Sequence, residues 1–108
     1  MGAEIKDLFS YNSINSVNYG DAVVFFVISG SWCTPCKELK DTLKCIPNSM
    51  IYHISIDNEN FESFFMENMI HSIPYTLVKY KNATSRFKGV RTTEQILELI
   101  QFLKDSVA

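Results

Sequence analysis

The sequence predicts an α/β fold in which a central mixed β-sheet is flanked by helices on both faces. Three observations predict it. The block Ala22–Ile28 is apolar, β-branched and aromatic without alternation, as in a strand covered on both faces. Strand-like segments alternate along the chain with segments whose apolar residues recur at helical spacing. A hairpin pattern followed by one more helix closes the sequence.

Each element has its own justification. Glu4 to Leu8 fits a short edge strand, and Ser10 offers an N-cap to a helix carrying Ile14 and Val17, closed by Gly20. Ala22–Ile28 is the centre of the sheet and ends at Ser29-Gly30-Ser31. Cys33 to Cys45 reads as a helix because Leu39 and Leu43 fall four apart on one face. After the turn Pro47-Asn48-Ser49, Met50 to Ile56 alternates Ile54 and Ile56 with Ser55, as a third strand would. Asp57 or Asn58 caps a helix over Glu59–Met69, with Phe61, Phe64, Phe65 and Met69 as its core stripe. Tyr75 to Lys81 and Ser85 to Lys88 form a hairpin that turns at Asn82-Ala83, and Gly89 stops it. Thr92 and Gln95 make a capping-box pair for the last helix, which buries Ile96, Leu99, Ile100 and Leu103.

Composition narrows the function classes. With 108 residues, 46% hydrophobic and 20% charged, the chain suits one domain with one continuous core. The formal charge of -2 is scattered, so no footprint for nucleic acid or an anionic membrane stands out. No stretch approaches the roughly 20 apolar residues of a spanning helix. Met1 to Ser10 lacks the apolar centre of a secretory signal, and a cytoplasmic location is the expectation. Three cysteines, one close pair and one spare, suit a reducing compartment better than a disulfide framework.

The chemistry concentrates at Cys33 and Cys36. A Cys-x-x-Cys on the first turn of a helix brings two sulfurs within bonding reach and aims unpaired helix N–H groups at the first of them. Those N–H groups and the helix dipole favour the thiolate, so Cys33 is the expected nucleophile. Cys36, one turn inside, is the resolving thiol that attacks the mixed disulfide. Pro35 costs no hydrogen bond in the first turn and stiffens the ring, while Trp32 supplies a flat apolar lid. Lys37 is an ordinary solvated helix residue or adds a little positive charge.

The segment Trp32-Cys33-Thr34-Pro35-Cys36-Lys37 resembles the active site of the thioredoxin family, Trp-Cys-Gly-Pro-Cys-Lys, and departs from it only at Thr34. The likeness runs over nearly the whole chain, from the central strand through Ile73-Pro74 to Gly89 and the last helix. It implies the thioredoxin fold, a monomer, and reduction of protein disulfides by a Cys33–Cys36 redox-active disulfide with no bound cofactor. It also implies electrons supplied by a thioredoxin-reductase-type donor. In the family a cis peptide precedes the proline matching Pro74, which sits against the cysteines. The backbone at Ile73 then pairs with substrate, in a surface shared with Trp32, Thr34, Pro35 and Gly89. The alternative for Pro74 is an ordinary proline at the start of a strand.

The departures matter as much. Thioredoxins usually bury an aspartate on the central strand beneath the resolving cysteine, paired with a lysine on the next strand. Those positions here are Val27 and His53. His53 is either a replacement proton relay or a half-exposed strand residue. Thr34 stiffens the intervening dipeptide. Pro74–Tyr80 runs one residue long against the family, through a β-bulge or a slipped match. Cys45 is expected to be free and buried; if exposed, it is open to intermolecular disulfides. His71 reads as a loop residue. Two other function classes remain: a binding module using the groove around Trp32, Ile73 and Pro74, and a metal or iron–sulfur site shared between two chains. The second is disfavoured because a closed structural zinc site wants four ligands.

Overall fold

The computed structural model describes residues 5–7 and 20–107. The expected helix after Ser10, with Ile14 and Val17, lies outside the described residues. The elements are β1 (Ile5–Asp7), β2 (Val23–Ser29), α1 (Thr34–Leu43), β3 (Ser49–Ser55), a short 3-10 turn (Glu59–Phe61) leading into α2 (Glu62–Glu67), β4 (Tyr75–Tyr80), β5 (Ala83–Lys88) and α3 (Thr93–Val107).

They build one five-stranded sheet in the order β1-β3-β2-β4-β5. β1, β3 and β2 run parallel, whereas β4 is antiparallel to both β2 and β5. β2 lies at the centre with all seven residues buried, which is why its sequence carries no polar alternation. Side chains leave it alternately toward two cores. Val24, Phe26 and Ile28 pack with Tyr52, Ile54, Tyr75 and Leu77 beneath Phe61 and Phe64. Val23, Phe25 and Val27 pack with Ile51 and Val78 beneath Leu39 and Leu43 of α1 and Ile96, Ile100 and Leu103 of α3. Helices therefore cover both faces, and each fully buried aliphatic or aromatic side chain contributes about 1.5–3 kcal/mol.

The capping box forms as expected: the Gln95 amide donates to Thr92 Oγ1 at 3.1 Å, and the Thr92 amide to Gln95 Oε1 at 3.0 Å. At the α2 end Asn58 is the capping side chain, accepting from the Asn60 amide at 3.0 Å.

Four expectations are corrected. Met69 is 72% exposed and not part of the core. The helix stops at Glu67; Met69 adopts φ 55°, and the Ile70 amide reaches back to the Phe65 carbonyl at 2.9 Å. That left-handed termination turns Met69 outward and buries Ile70 in its place. Cys45 is exposed. α1 ends at Leu43 in tight turns, Cys45 N–H to Thr42 and Ile46 N–H to Leu43, so Ile46 takes the inward position. The hairpin turns one residue earlier than expected, at Lys81-Asn82, with Lys81 at φ 54° and β5 already begun at Ala83. Finally, β4 pairs without interruption from Tyr75 to Tyr80, so no bulge interrupts it.

Candidate active site

The site is built where β2 ends and α1 begins. Gly30 accepts a hydrogen bond from the Cys33 amide at 3.1 Å, closing a tight turn that delivers the chain to the helix. Cys33 is the N-cap, in extended backbone conformation, with Thr34 and Pro35 opening the first turn. Its Sγ accepts from the Cys36 amide at 3.2 Å. One of the helix's unpaired N–H groups is thus satisfied by sulfur, in the place where serine or aspartate oxygen usually serves. The two cysteines form a disulfide, with Cα atoms 5.3 Å apart.

Their environments differ. Cys36 is fully buried and Cys33 is 7% exposed, at the edge of the surface. Thr34, Pro35 and Lys37 are exposed around them. Trp32 is 64% exposed, and its ring rests on Gly30 so closely that a Cβ there would lie 2.7 Å from it. Glycine at position 30 is therefore a requirement of the lid.

A second strand end completes the site. Tyr75, first residue of β4, pairs with Ile28, so Ile73 and Pro74 reach the same end of the sheet as Ser29 and Gly30. The Ile73–Pro74 peptide is cis. Pro74 is buried and Ile73 half-buried. The Gly89 amide donates to the Pro74 carbonyl at 2.8 Å, and Gly89 itself takes φ 71°, a conformation that favours glycine. Cys33, Cys36, Trp32, Thr34, Pro35, Ile73, Pro74 and Gly89 thus gather at one end of the sheet.

His53 stands apart from that group, directly across from Val27 in the β2–β3 register. It faces the α1 side with Ile51, and its Nδ1 lies 2.9 Å from Asp7 Oδ1. Sequence reasoning missed Asp7, which is 46 positions away. The spacing Ile5-x-Asp7 puts it on the same strand face as a core residue, but only the register reveals its partner. It also missed Ser29 and Thr76, which are fully buried polar residues. His71 is exposed in a loop. Among the described residues no group of three or more His, Cys, Asp or Glu side chains is placed to share a metal ion. Nor, among them, is any helix long and apolar enough to cross a membrane.

A disulfide seated at a helix N-terminus, at the end of the central strand of such a sheet, defines a Cys-x-x-Cys redox protein of the α/β class. The thioredoxin family model matches residues 8–102. The chain belongs to the thioredoxin family. Its fold is similar to those of several solved thioredoxins. Chloroplastic thioredoxin z superimposes with a TM-score of 0.75 at 18% identity, covering 97% of this chain and 98% of that one. The Trypanosoma brucei brucei thioredoxin gives 0.74 at 15%, with 96% and 95% covered. A mutant thioredoxin from Halobacterium salinarum NRC-1 gives 0.76 at 14%, with 93% and 90% covered. At such identities the likeness is one of fold. No curated protein matches the chain by sequence.

Proposed function

We propose that the chain reduces protein disulfides through a dithiol–disulfide cycle of Cys33 and Cys36. The observation that carries this reading is the sulfur of Cys33 held as the cap of α1, accepting the Cys36 amide. The same N–H and the helix dipole stabilise negative charge on that sulfur once the disulfide is reduced. The Cys33 thiolate attacks one sulfur of a substrate disulfide, forming a mixed disulfide and expelling one substrate thiolate. Cys36 then attacks Cys33 Sγ, which re-forms the internal disulfide and expels the second. Two electrons pass to the substrate. A reductase of the thioredoxin-reductase type returns them.

Trp32, Thr34, Pro35, Ile73, Pro74 and Gly89 supply the surface on which a substrate strand lies, with the Ile73 backbone as its partner. An exposed free thiol at Cys45 fits a reducing compartment, and the cytoplasm and a monomeric working unit go with this reading.

Insulin reduction by dithiothreitol tests the activity. The protein is expected to accelerate turbidity and Cys33→Ser to abolish that acceleration; equal rates overturn the proposal. The equilibrium potential of the pair sets the direction: a value near the ~-270 mV typical of thioredoxins marks a reductant, whereas about -120 mV marks an oxidant. One observation favours a second reading, a binding module with slow exchange. Val27, fully buried and apolar, occupies the position where the family keeps an aspartate. A normal exchange rate for the isolated protein removes that reading.

A further inference from the structure

Resolution of the mixed disulfide requires the Cys36 thiol to lose its proton. Cys36 is fully buried, so bulk water does not reach its thiol proton directly. The strand residue at the centre beneath α1 is Val27, which accepts nothing. The polar groups of this sheet face lie around it. Register places Asp7, His53, Val27, Thr76 and Phe87 in one row across all five strands. Side-chain alternation puts His53 with Ile51 and Thr76 with Val78, in the core covered by α1 and α3, and puts Ser29 on that face two residues beyond Val27. Among the described residues the buried side-chain polar atoms without a hydrogen-bond partner are Ser29 Oγ, His53 Nε2 and Thr76 Oγ1. All three belong to this face.

The histidine is prepared as a base. A carboxylate only accepts, so the contact with Asp7 Oδ1 at 2.9 Å is made through a proton on Nδ1, and in the neutral imidazole the lone pair is then on Nε2, inside the protein. We propose that His53, oriented by Asp7, accepts the proton of the Cys36 thiol as the mixed disulfide is resolved, across the sheet face that α1 covers. This rests on the disulfide-reductase reading above. The Cys36 S–H bond breaks and Nε2 gains the proton; the Cys36 thiolate bonds to Cys33 Sγ, and the Cys33–substrate bond breaks. The departing substrate thiolate takes a proton from the imidazolium or from water. Among the described charged groups, Asp7 on β1 bonds the ring and also attracts the Lys40 ammonium on α1. Asp7 is 60% exposed and His53 21%, so the proton has an exit at the sheet edge.

The test follows the reduced full chain, carrying Cys45→Ser to remove the exposed thiol, after mixing with excess Ellman's reagent. The reagent-dependent phase reports attack by Cys33, and the reagent-independent phase reports resolution by Cys36. His53→Gln is expected to leave the first phase within about 2-fold and slow the second by about 10-fold or more at neutral pH. The second phase then rises in proportion to hydroxide, without the plateau of the parent. Asp7→Asn, a change on an exposed side chain that keeps the fold, slows the same phase and spares the first. Resolution in either variant matching the parent in rate and pH profile overturns the relay while leaving the reductase reading intact. Loss of the first phase in the parent protein overturns both. Should His53→Gln fail to fold, Asp7→Asn decides alone.

Discussion

Adding one methyl group at Gly30 moves the lid without unfolding the protein. A Cβ at that position lies 2.7 Å from Trp32 Cη2 and 2.8 Å from Cζ2 and Cζ3, so the indole must withdraw by about 0.7 Å to reach ordinary contact at 3.4 Å. The ring has somewhere to go, since the side chain is 64% exposed. Little more than a third of it is buried. At ~25 cal/mol per Å² over about 250 Å² this limits the loss to about 2 kcal/mol even for complete release. Against that, Gly→Ala stabilises by about 0.4–1 kcal/mol through the unfolded chain. The net cost in Gly30→Ala is expected not to exceed about 2 kcal/mol. Trp32 is the single tryptophan of the sequence, so its fluorescence reports the displacement without background. Emission is expected to shift to longer wavelength, with more efficient quenching by acrylamide, while the urea transition moves little. Identical emission and quenching in both redox states would refute the argument that the ring rests on Gly30.

Three further predictions concern what supports the site. Leu39→Ala, at a fully buried position under α1, is expected to cost about 2–5 kcal/mol in urea unfolding; a cost below 1 kcal/mol shows that α1 is not docked through Leu39. Thr92→Ala removes half of the capping box and is expected to cost about 1 kcal/mol at an unchanged urea m-value, with insulin reduction unaffected. A change in reduction rate counts against the separation of α3 from the chemistry. Burial lowers the Lys40 ammonium below its ordinary value, with Asp7 opposing. The unfolded chain therefore binds that proton more tightly, and stability relative to Lys40→Gln is expected to rise with pH through the alkaline range below the ordinary lysine value. A difference that is flat or falls with pH contradicts this.

How much was legible in the sequence depended on whether a feature is local. The unalternating run of β2, the Cys-x-x-Cys pair and the Thr92–Gln95 box are each complete within a few residues, and each stands in the structure as read. Met69 and Cys45 failed for one shared reason. Periodicity says which residues share a face while a helix lasts, but not where a left-handed residue or a tight last turn ends it. A non-glycine residue at φ 55° leaves no mark in the sequence. Beyond the Val27 and His53 pair, the row was invisible for the opposite reason. Its members come from five strands, and Asp7 meets His53 only because β1 and β3 pair in one particular register.

That row also explains how an apolar residue sits at the centre of a redox site. A carboxylate at position 27 would be fully enclosed, at a desolvation cost of several kcal/mol unless it were well paired. Val27 instead adds apolar burial to the core beneath α1. The carboxylate stands at the sheet edge, on Asp7, where water still reaches 60% of the side chain. Moving the charge outward leaves three polar groups on this buried face without a hydrogen-bond partner among the described residues. Each buried hydroxyl or imidazole nitrogen without a protein partner costs about 1–3 kcal/mol. Three such groups on one face, set against a total stability of about 5–15 kcal/mol, are a heavy load for a sheet that only had to fold. Ser29, His53 and Thr76 stand around Val27, which cannot move a proton, and local conflicts of this kind are expected where a fold serves chemistry.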